Sequence, residues 1–342
     1  MAQRRVTLAQ VAEEAGVSST TASFVLSGRT DMRISPDAQR RVREASDRLG
    51  YRPNLTARGL RTKVTHTFGL VSDIIASSGY AGEIIRGAVD EAATHQHMLF
   101  VGETQGDADL ERQLVQELFD RQVDGLVYAV LGPRPCVPPE TLRHRPAVLL
   151  QCIADGFDLP KVMPDDAQAG RESARALMVV GHREGVYAIG AHHRTEAHPA
   201  GIPAGLARMN GVEEVMAEHG TRLAGALQCT WEPAEGFAAV RSLLDSGVRP
   251  RALICANDRV AMGAYQALQE DGLRIPEDTS VVSVDNSDLA TWLRPALSSV
   301  DLPYYEMGRL SVRLLAEPGD ANGVHRVPMR MVARDSVAAP AG

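Results

Sequence analysis

The sequence predicts an N-terminal all-α helix-turn-helix head followed by a larger α/β body built on doubly wound parallel sheet. Three observations carry this reading. Residues 8–49 hold three short amphipathic helical patterns, the first two joined by a tight turn at Gly16. From residue 67 onward, apolar runs of strand length alternate with helical patterns. The chain, at 342 residues, is too long for one ordinary core when domains average about 150 residues.

In the head, Leu8, Val11, Ala12 and Ala15 recur at helical spacing behind Thr7, a good N-cap, and Gly16 suits the left-handed stop. Ser18 caps a second helix, about Ser19 to Leu26, which buries Ala22, Val25 and Leu26. Ser19, Thr20, Thr21, Ser23 and Phe24 are left outside. A third helix opens at Ser35-Pro36, presents Ala38, Val42, Ala45 and Leu49 on one face, and stops at Gly50.

Charge separates head from body. The chain carries a net −7, but residues 1–66 carry a net +6 and the remainder −13. A basic head on an acidic body is suited to meeting a polyanion with the head alone. A solvated basic helix face would give the same balance.

The body's strand-like runs are Phe68–Val71, Met98–Gly102, Gly125–Val130, Ala147–Cys152, Gly185–Ile189, Gly225–Cys229, Ala252–Ala256 and Ser280–Asp285. Helical stretches such as Gly82–His95, Ala108–Arg121, Gln168–Val180, Leu206–His219, Ala234–Ser246 and Val260–Asp271 lie between them. Repeated βαβ of this kind places ligands at the carboxyl ends of the strands. Eight strands fit one doubly wound domain or two lobes of four.

Several function classes find no support. No run approaches the roughly 20 apolar residues of a membrane helix, and the N-terminus has no secretory h-region. No membrane partner is expected, and the location is expected to be cytoplasmic. The four cysteines (136, 152, 229 and 255) are far apart and read as free thiols in a reducing compartment. No CxxC zinc pattern or phosphate-binding P-loop occurs. His192, His193 and His198 sit in a Pro/Gly-rich loop pattern, and Asp165-Asp166 reads as helix capping. No nucleophile, base and orienting group come together, so neither an enzyme, a cofactor nor a metal is expected.

The head residues, taken as a string, have a specific likeness. Val6-Thr7-Leu8-Ala9-Gln10-Val11-Ala12, Ala15-Gly16-Val17-Ser18, Thr21-Ala22-Ser23, Val25-Leu26-Ser27-Gly28, Ile34-Ser35 and Leu49-Gly50-Tyr51-Arg52-Pro53-Asn54, then Ala57-Arg58 and Leu60, resemble the lactose/galactose repressor family. The resemblance implies a DNA-binding transcriptional regulator, acting as a homodimeric repressor on a pseudo-palindromic operator and controlled by a small-molecule effector. It implies a DNA-contacting set of Thr7, Ser18, Ser19, Thr20, Thr21, Ser23, Phe24, Arg29, Tyr51, Asn54, Ala57, Arg58 and Leu60. Ser19 and Thr20 stand at the main base-reading positions. Phe24 stands where many members carry arginine; it suits a thymine methyl rather than guanine, or packing within the head. Asn54 to Leu60 resembles a hinge helix that orders on DNA, with Leu60 as a minor-groove wedge and Arg58, Arg61 and Lys63 near phosphates.

For the body, the resemblance favours two periplasmic-binding-protein-like lobes. The domains expected are a head over 1–53, a hinge and linker over 54–66, and an effector domain over 67–342. Lobe one would take about 67–164 and 297–328, and lobe two about 165–296 and 329–340. Position by position, the resemblance implies an effector site of Ser72, Asp73, Ser77, Tyr80, Gln151, Arg208, Trp231, Asn257 and Asp285. Such a set suits a sugar or another polyhydroxylated ligand. Asn257 and Asp285 also read as helix caps, Trp231 as ordinary packing, and Asp258 as a cap or an inter-lobe contact. The loop 74–80 lacks the family's usual Asn-Pro-aromatic pattern. The sign of the ligand response stays open. The C-terminal residues hold no leucine heptad for a tetramerising coiled coil.

Overall fold

The computed structural model describes residues 6–27, 33–52, 64–79, 81–191, 203–317, 319 and 322–340. It divides into two compact units, Met1–His66 and Thr67–Gly342. In the first unit, helices α1 (Leu8–Ala15), α2 (Ser19–Leu26) and α3 (Pro36–Leu49) enclose a small core of Val11, Ala12, Ala15, Ala22, Val25, Val42 and Ala45. Helix α1 starts with a reciprocal cap: the Thr7 hydroxyl accepts from Gln10 N at 3.4 Å, and Thr7 N donates to Gln10 Oε1 at 2.9 Å. Gly16, at φ 64°, turns the chain toward α2, where Ser18 Oγ accepts from Thr21 N at 3.0 Å. Ser35 and Pro36 open α3, and Gly50, at φ 65°, closes it.

The second unit holds two sheets. In the first lobe, β1 (Thr67–Ser72), β2 (Met98–Glu103), β3 (Gly125–Pro135), β4 (Ala147–Ile153), β5 (Pro160–Pro164) and β11 (Gly323–Val327) pair in parallel in the order β11-β5-β4-β3-β1-β2. Helices α4 (Gly82–Thr94), α5 (Ala108–Asp120) and α11 (Tyr304–Ala316) cover it. In the second lobe, β6 (Val186–Ile189), β7 (Gly225–Leu227), β8 (Ala252–Cys255), β9 (Ser280–Asp285), β10 (Ser298–Asp301) and β12 (Met331–Val332) take the order β12-β10-β9-β8-β6-β7. Only the short β12 runs antiparallel to its neighbour. Helices α6 (Asp166–Val179), α7 (Pro203–Glu218), α8 (Pro233–Asp245), α9 (Asp258–Glu270) and α10 (Asp288–Trp292) belong to this lobe. The lobes share one chain that crosses three times: after Pro164, after Asp301 and after Val327.

Two expectations need correction. The return to the first lobe falls near Leu302, not at 297. Ser298–Asp301 pairs in parallel with Val282–Asp285 and is a strand of the second sheet. Its sequence, Ser-Ser-Val-Asp, carries too little apolar signal to announce a buried strand. The cysteines are not all free: Cys136 and Cys152 form a disulfide, while Cys229 and Cys255 remain thiols. Strand β3 does not stop at Val130 but continues to Pro135, so Cys136 runs beside β4, with its amide donating to Ile153 O at 3.0 Å. The Cα atoms then stand 5.9 Å apart, within disulfide reach.

One buried ion cluster fastens the first lobe. Glu91 on α4 is 4% exposed and accepts from Arg309 Nε at 2.8 Å and Arg313 Nε at 2.9 Å, both on α11. Hydrogen bonding to Arg313 and Arg309 outweighs burial and holds its carboxyl down at about 2. A lowered folded value means the stabilisation is present above the ordinary carboxylate range, near 4.3, and is lost as pH falls toward 2. Both arginines are partly exposed, which weakens the pair. Glu91→Gln is expected to lower stability by about 2 kcal/mol at pH 7. In urea unfolding the difference from wild type should shrink below about pH 4. A pH-independent difference would mean that packing, not charge, makes the contact.

Candidate functional site

In the head, Ser18, Ser19 and Thr20 are exposed around the start of α2, and Thr21 and Ser23 are half-buried. Thr7 is an exposed cap residue, while Tyr51 packs against the head core. Phe24 is half-buried on α2 and is not a member of that core. A free helix start with short hydroxyl side chains is a shape that fits a major groove. Arg29, Asn54, Ala57, Arg58 and Leu60 lie outside the described residues, as do Arg61, Lys63 and the histidines 192, 193 and 198. Among the described residues no cluster of three His, Cys, Asp or Glu could hold a metal, and no helix is long and apolar enough to cross a membrane.

In the body, a cavity of about 1100 Å³ opens between the lobes at the carboxyl ends of the strands. Gln151, Arg208, Trp231, Asn257 and Asp285 all line it. Five of the nine effector positions expected from sequence thus meet in one place. Pro164, Asp301, Leu302 and Pro303, at two of the chain crossings, also line it.

Close helix packing delivers Arg208. Helices α6 and α7 cross at glycines: a Cβ on Gly170 would fall 1.9 Å from Arg208 O, and one on Gly211 2.1 Å from Ala167 O. Any side chain at either position would force the helices apart. Arg208, 7% exposed, donates from Nε to Asp166 Oδ1 at 2.9 Å and from Nη1 to Ala256 O at 2.6 Å. Its guanidinium stands 4.9 Å from the Trp231 ring centroid, a cation–π distance. Trp231 Nε1 in turn donates to Gly190 O at 3.0 Å. Asp165, not Asp166, is the α6 cap, accepting from Gln168 N at 3.0 Å. Burial pushes the Asp166 carboxyl up, and Arg208 pulls it back.

Asn257 has both of its readings at once. Its Oδ1 caps α9 by accepting from Val260 N at 2.8 Å, while the residue lines the cavity. Gln151 is 1% exposed, takes φ 58°, and its Nε2 is a buried donor with no hydrogen-bond partner. An unsatisfied donor of that kind costs about 1–3 kcal/mol unless a ligand answers it.

Asp285 is held in a strained turn. It takes φ 119° and Asn286 φ 51°. Asp258, absent from the sequence-derived site, is what holds that turn. It is fully buried, and its carboxylate accepts from Ser299 Oγ at 2.6 Å, Ser287 N at 2.7 Å, Ser287 Oγ at 2.8 Å and the Ser283 hydroxyl. Asn286 Nδ2 donates to Asp301 Oδ1 at 2.8 Å, and Asn286 Oδ1 accepts from Arg334 Nη2 at 2.5 Å. Asp258→Ala would strand several buried donors, so a loss of about 3 kcal/mol or more is expected in denaturant unfolding. A loss below about 1 kcal/mol would show that the turn holds without it. The sequence cue was its place directly after Asn257, at the end of an apolar strand.

Ser72, Asp73 and Ser77 are not brought to the cavity. Asp73 is saturated by its own lobe: Ile74 N at 2.7 Å, Leu131 N at 3.1 Å and Arg134 Nη2 at 2.7 Å. Ser77 N donates to Glu103 Oε2 at 2.7 Å, facing the end of β2. Ser72 is buried with an unpartnered Oγ but does not line the cavity. Tyr80 lies outside the described residues. The wall is built instead from Ser78, Gly79 and the β3 segment Leu131–Pro135.

Comparison with known proteins places this architecture. Residues 7–54 match the model of bacterial regulatory proteins, lacI family, and residues 174–337 match a periplasmic binding protein-like domain. The HTH-type transcriptional regulator AscG of Escherichia coli (strain K12) is 32% identical over 98% of this chain and 99% of its own length. The chain belongs to the lacI family. It is a DNA-binding transcriptional regulator with a helix-turn-helix head and a periplasmic-binding-protein-like body. A solved complex of the transcriptional regulator CelR with cellobiose shares 25% identity and a TM-score of 0.63, covering 97% of this lacI-family chain and 100% of the other. The lac repressor dimer bound to operator and the anti-inducer ONPF superposes with a TM-score of 0.76 over 98% of this chain and 100% of the other; at 22% identity it supports the fold alone.

Proposed function

We propose that this lacI-family regulator is a homodimeric repressor without catalytic activity, and that an uncharged polyhydroxylated ligand in the inter-lobe cavity sets its hold on a pseudo-palindromic operator. The observation that carries this is the convergence of Arg208, Trp231, Asn257, Asp285 and the unpartnered Gln151 amide on one cavity. Bidentate donors, acceptors and one flat apolar face match vicinal hydroxyls on a ring. The sugar in the CelR complex belongs to the same chemical class. Three arginines lining the cavity already have acidic partners: Arg208 with Asp166, Arg134 with Asp73, and Arg259 with Glu232. That arrangement disfavours an anionic ligand such as a sugar phosphate.

On the DNA side, the reading gives Ser19, Thr20 and Phe24 to base edges and the remaining head set to phosphates and the groove. Leu60 is the central wedge. Selection of bound duplexes from a random pool, at about 0.15 M salt to suppress non-specific binding, tests it. A recovered pseudo-palindrome supports the dimeric reader. No enrichment, with or without sugars added, removes it. Leu60→Ala should weaken operator binding and reduce bending at a kinked central step while leaving ligand affinity intact. Unchanged DNA affinity would remove the wedge.

A further inference from the structure

The Cys136–Cys152 bond lies against the cavity wall. Leu131–Pro135, immediately before Cys136, all line the cavity, as does Gln151, immediately before Cys152. Strands β3 and β4 pair regularly up to Ala129 and Leu150, lose register, and pair again only at Arg134 with Cys152. Residues 130–133 therefore bulge opposite Gln151 alone, and that bulge is the first-lobe wall. Asp73 fastens it from below through Leu131 N and Arg134. Its far end is fastened by the Cys136 amide and by the disulfide.

We propose that Cys136 and Cys152 form a redox-modification site, with a peroxide as oxidant and a dithiol as reductant, that locks or frees this wall of the ligand cavity. Disulfides in reducing compartments are mostly redox-sensing rather than structural. The two sulfurs have unequal access: Cys136 is half-buried beside Val137, which is 87% exposed, and Cys152 is fully buried. Cys136 is therefore the sulfur that meets oxidant. Its thiolate attacks one peroxide oxygen, the O–O bond breaks, one oxygen leaves as water, and the other remains as a sulfenic acid. The Cys152 thiolate then attacks that sulfur and the second oxygen leaves as water. Two thiols lose two electrons and one peroxide becomes two waters. In reverse, a dithiol attacks Cys136, releases Cys152 as a thiol, and departs as its own disulfide. The other two cysteines, Cys229 and Cys255, remain thiols and are not joined to each other.

Reduction would leave the bulge held by hydrogen bonds alone and let it open locally. The effect on the wall is independent of what the cavity binds; only its consequence for gene control rests on the function proposed above. The chain has two tryptophans, Trp231 and Trp292, and both line the cavity, so its intrinsic emission reports on that space. The test uses the full chain, first equilibrated in glutathione buffer at a cytosolic thiol–disulfide ratio and then treated with hydrogen peroxide. Thiols are trapped with iodoacetamide and mapped by peptide mass, and acrylamide quenching of the emission is followed in parallel. We expect Cys136 and Cys152 to be alkylated before peroxide and cross-linked after it. Quenching should fall about twofold on oxidation as the wall is locked. Cys136→Ser should remove the response, and Cys229→Ser should keep it. A bond that survives the glutathione buffer makes the pair a structural staple and overturns the proposal. So do thiols that peroxide fails to join, or quenching that ignores the bond.

Discussion

Arg208→Ala is expected to abolish the ligand response while leaving operator binding in place. Arg208 lines the cavity, held in place by its donations to Asp166 Oδ1 and Ala256 O and by its contact with the Trp231 ring. Hydrogen bonds from a charged donor are worth about 1.5–3 kcal/mol each. A ligand that takes a hydrogen bond from one of the guanidinium's other N–H groups should therefore lose about 10- to 100-fold in affinity. The substitution also strands Asp166, which is 5% exposed and whose carboxyl burial already pushes up. Without its cation, Asp166 would take a proton rather than remain a buried bare charge. Arg208→Ala combined with Asp166→Asn separates these effects: the double variant should regain stability but not the ligand response. Operator binding with and without ligand, read by fluorescence anisotropy, is the measurement. A single variant that responds at wild-type ligand concentrations would remove Arg208 from the site.

The legibility of this protein followed the strength of its local signals. Thr7, Gly16, Ser18, Ser35-Pro36 and Gly50 are caps and stops, and each sits where the local chemistry of its residue placed it. The long apolar strands were equally visible. Strands β5, β10 and β11 were not, because Pro, Lys, Ser, Asp, His and Arg break up their apolar residues, and β12 is only two residues long, whereas the equally short β6, β7 and β8 are almost wholly apolar. β10, which lies between β9 and β12, owes its place to its neighbours and not to its own residues. The far half of the cavity was legible because the resemblance to the lactose/galactose repressor family pointed, position by position, to Arg208, Trp231, Asn257 and Asp285, the last two at or just past the ends of apolar strands. The near wall was not. A bulge in β3 and a carboxylate consumed by its own lobe, as Asp73 is, are tertiary outcomes without a local signature. The disulfide depends on the same bulge.

The turn that carries Asp285 also touches the chain crossings. Asp285 O accepts from Leu302 N at 3.3 Å, Asn286 reaches Asp301, and Asp301 N donates to Arg330 O at 2.8 Å. Two of the three inter-lobe connections are therefore bonded directly to a ligand-lining turn or to its immediate neighbour. A ligand that pulls on Asp285 acts on those connections through bonds already made. On the function proposed above, a small change in the cavity would be passed to those connections and so to the angle between the lobes. Asp258 makes the lever stiff by fixing Ser287 and Ser299 on either side of it.

That stiffness has a cost at Asp285, and Asp285→Asn should reveal it as a gain in stability with a loss of ligand response. Burial pushes this carboxyl up to about 8; Arg208 and Arg259 pull it down, while Asp258 and Asp166 push it further up. In the unfolded chain it would titrate near 3.9. A raised folded value means the fold favours the neutral acid. Its contribution is complete below about pH 4 and is lost progressively as pH rises through about 8. Asparagine keeps the shape and never ionises. The variant should therefore gain on wild type as pH rises from 4 to 8, by about 2 kcal/mol once partial access from the cavity is allowed for, and the gap should then level off. For a body of this size that is a melting-temperature rise of about 3–4 °C at pH 8 and little change at pH 4. The amide also replaces an oxygen with a donor where a ligand hydroxyl would donate, so affinity should fall by tenfold or more. Scanning calorimetry at pH 4, 6, 8 and 9 decides the matter. A variant less stable than wild type at pH 8 would mean that Arg208 and Arg259 hold Asp285 as a carboxylate. The turn would then be an ion-pair clamp rather than a strained, neutral acid waiting for its ligand.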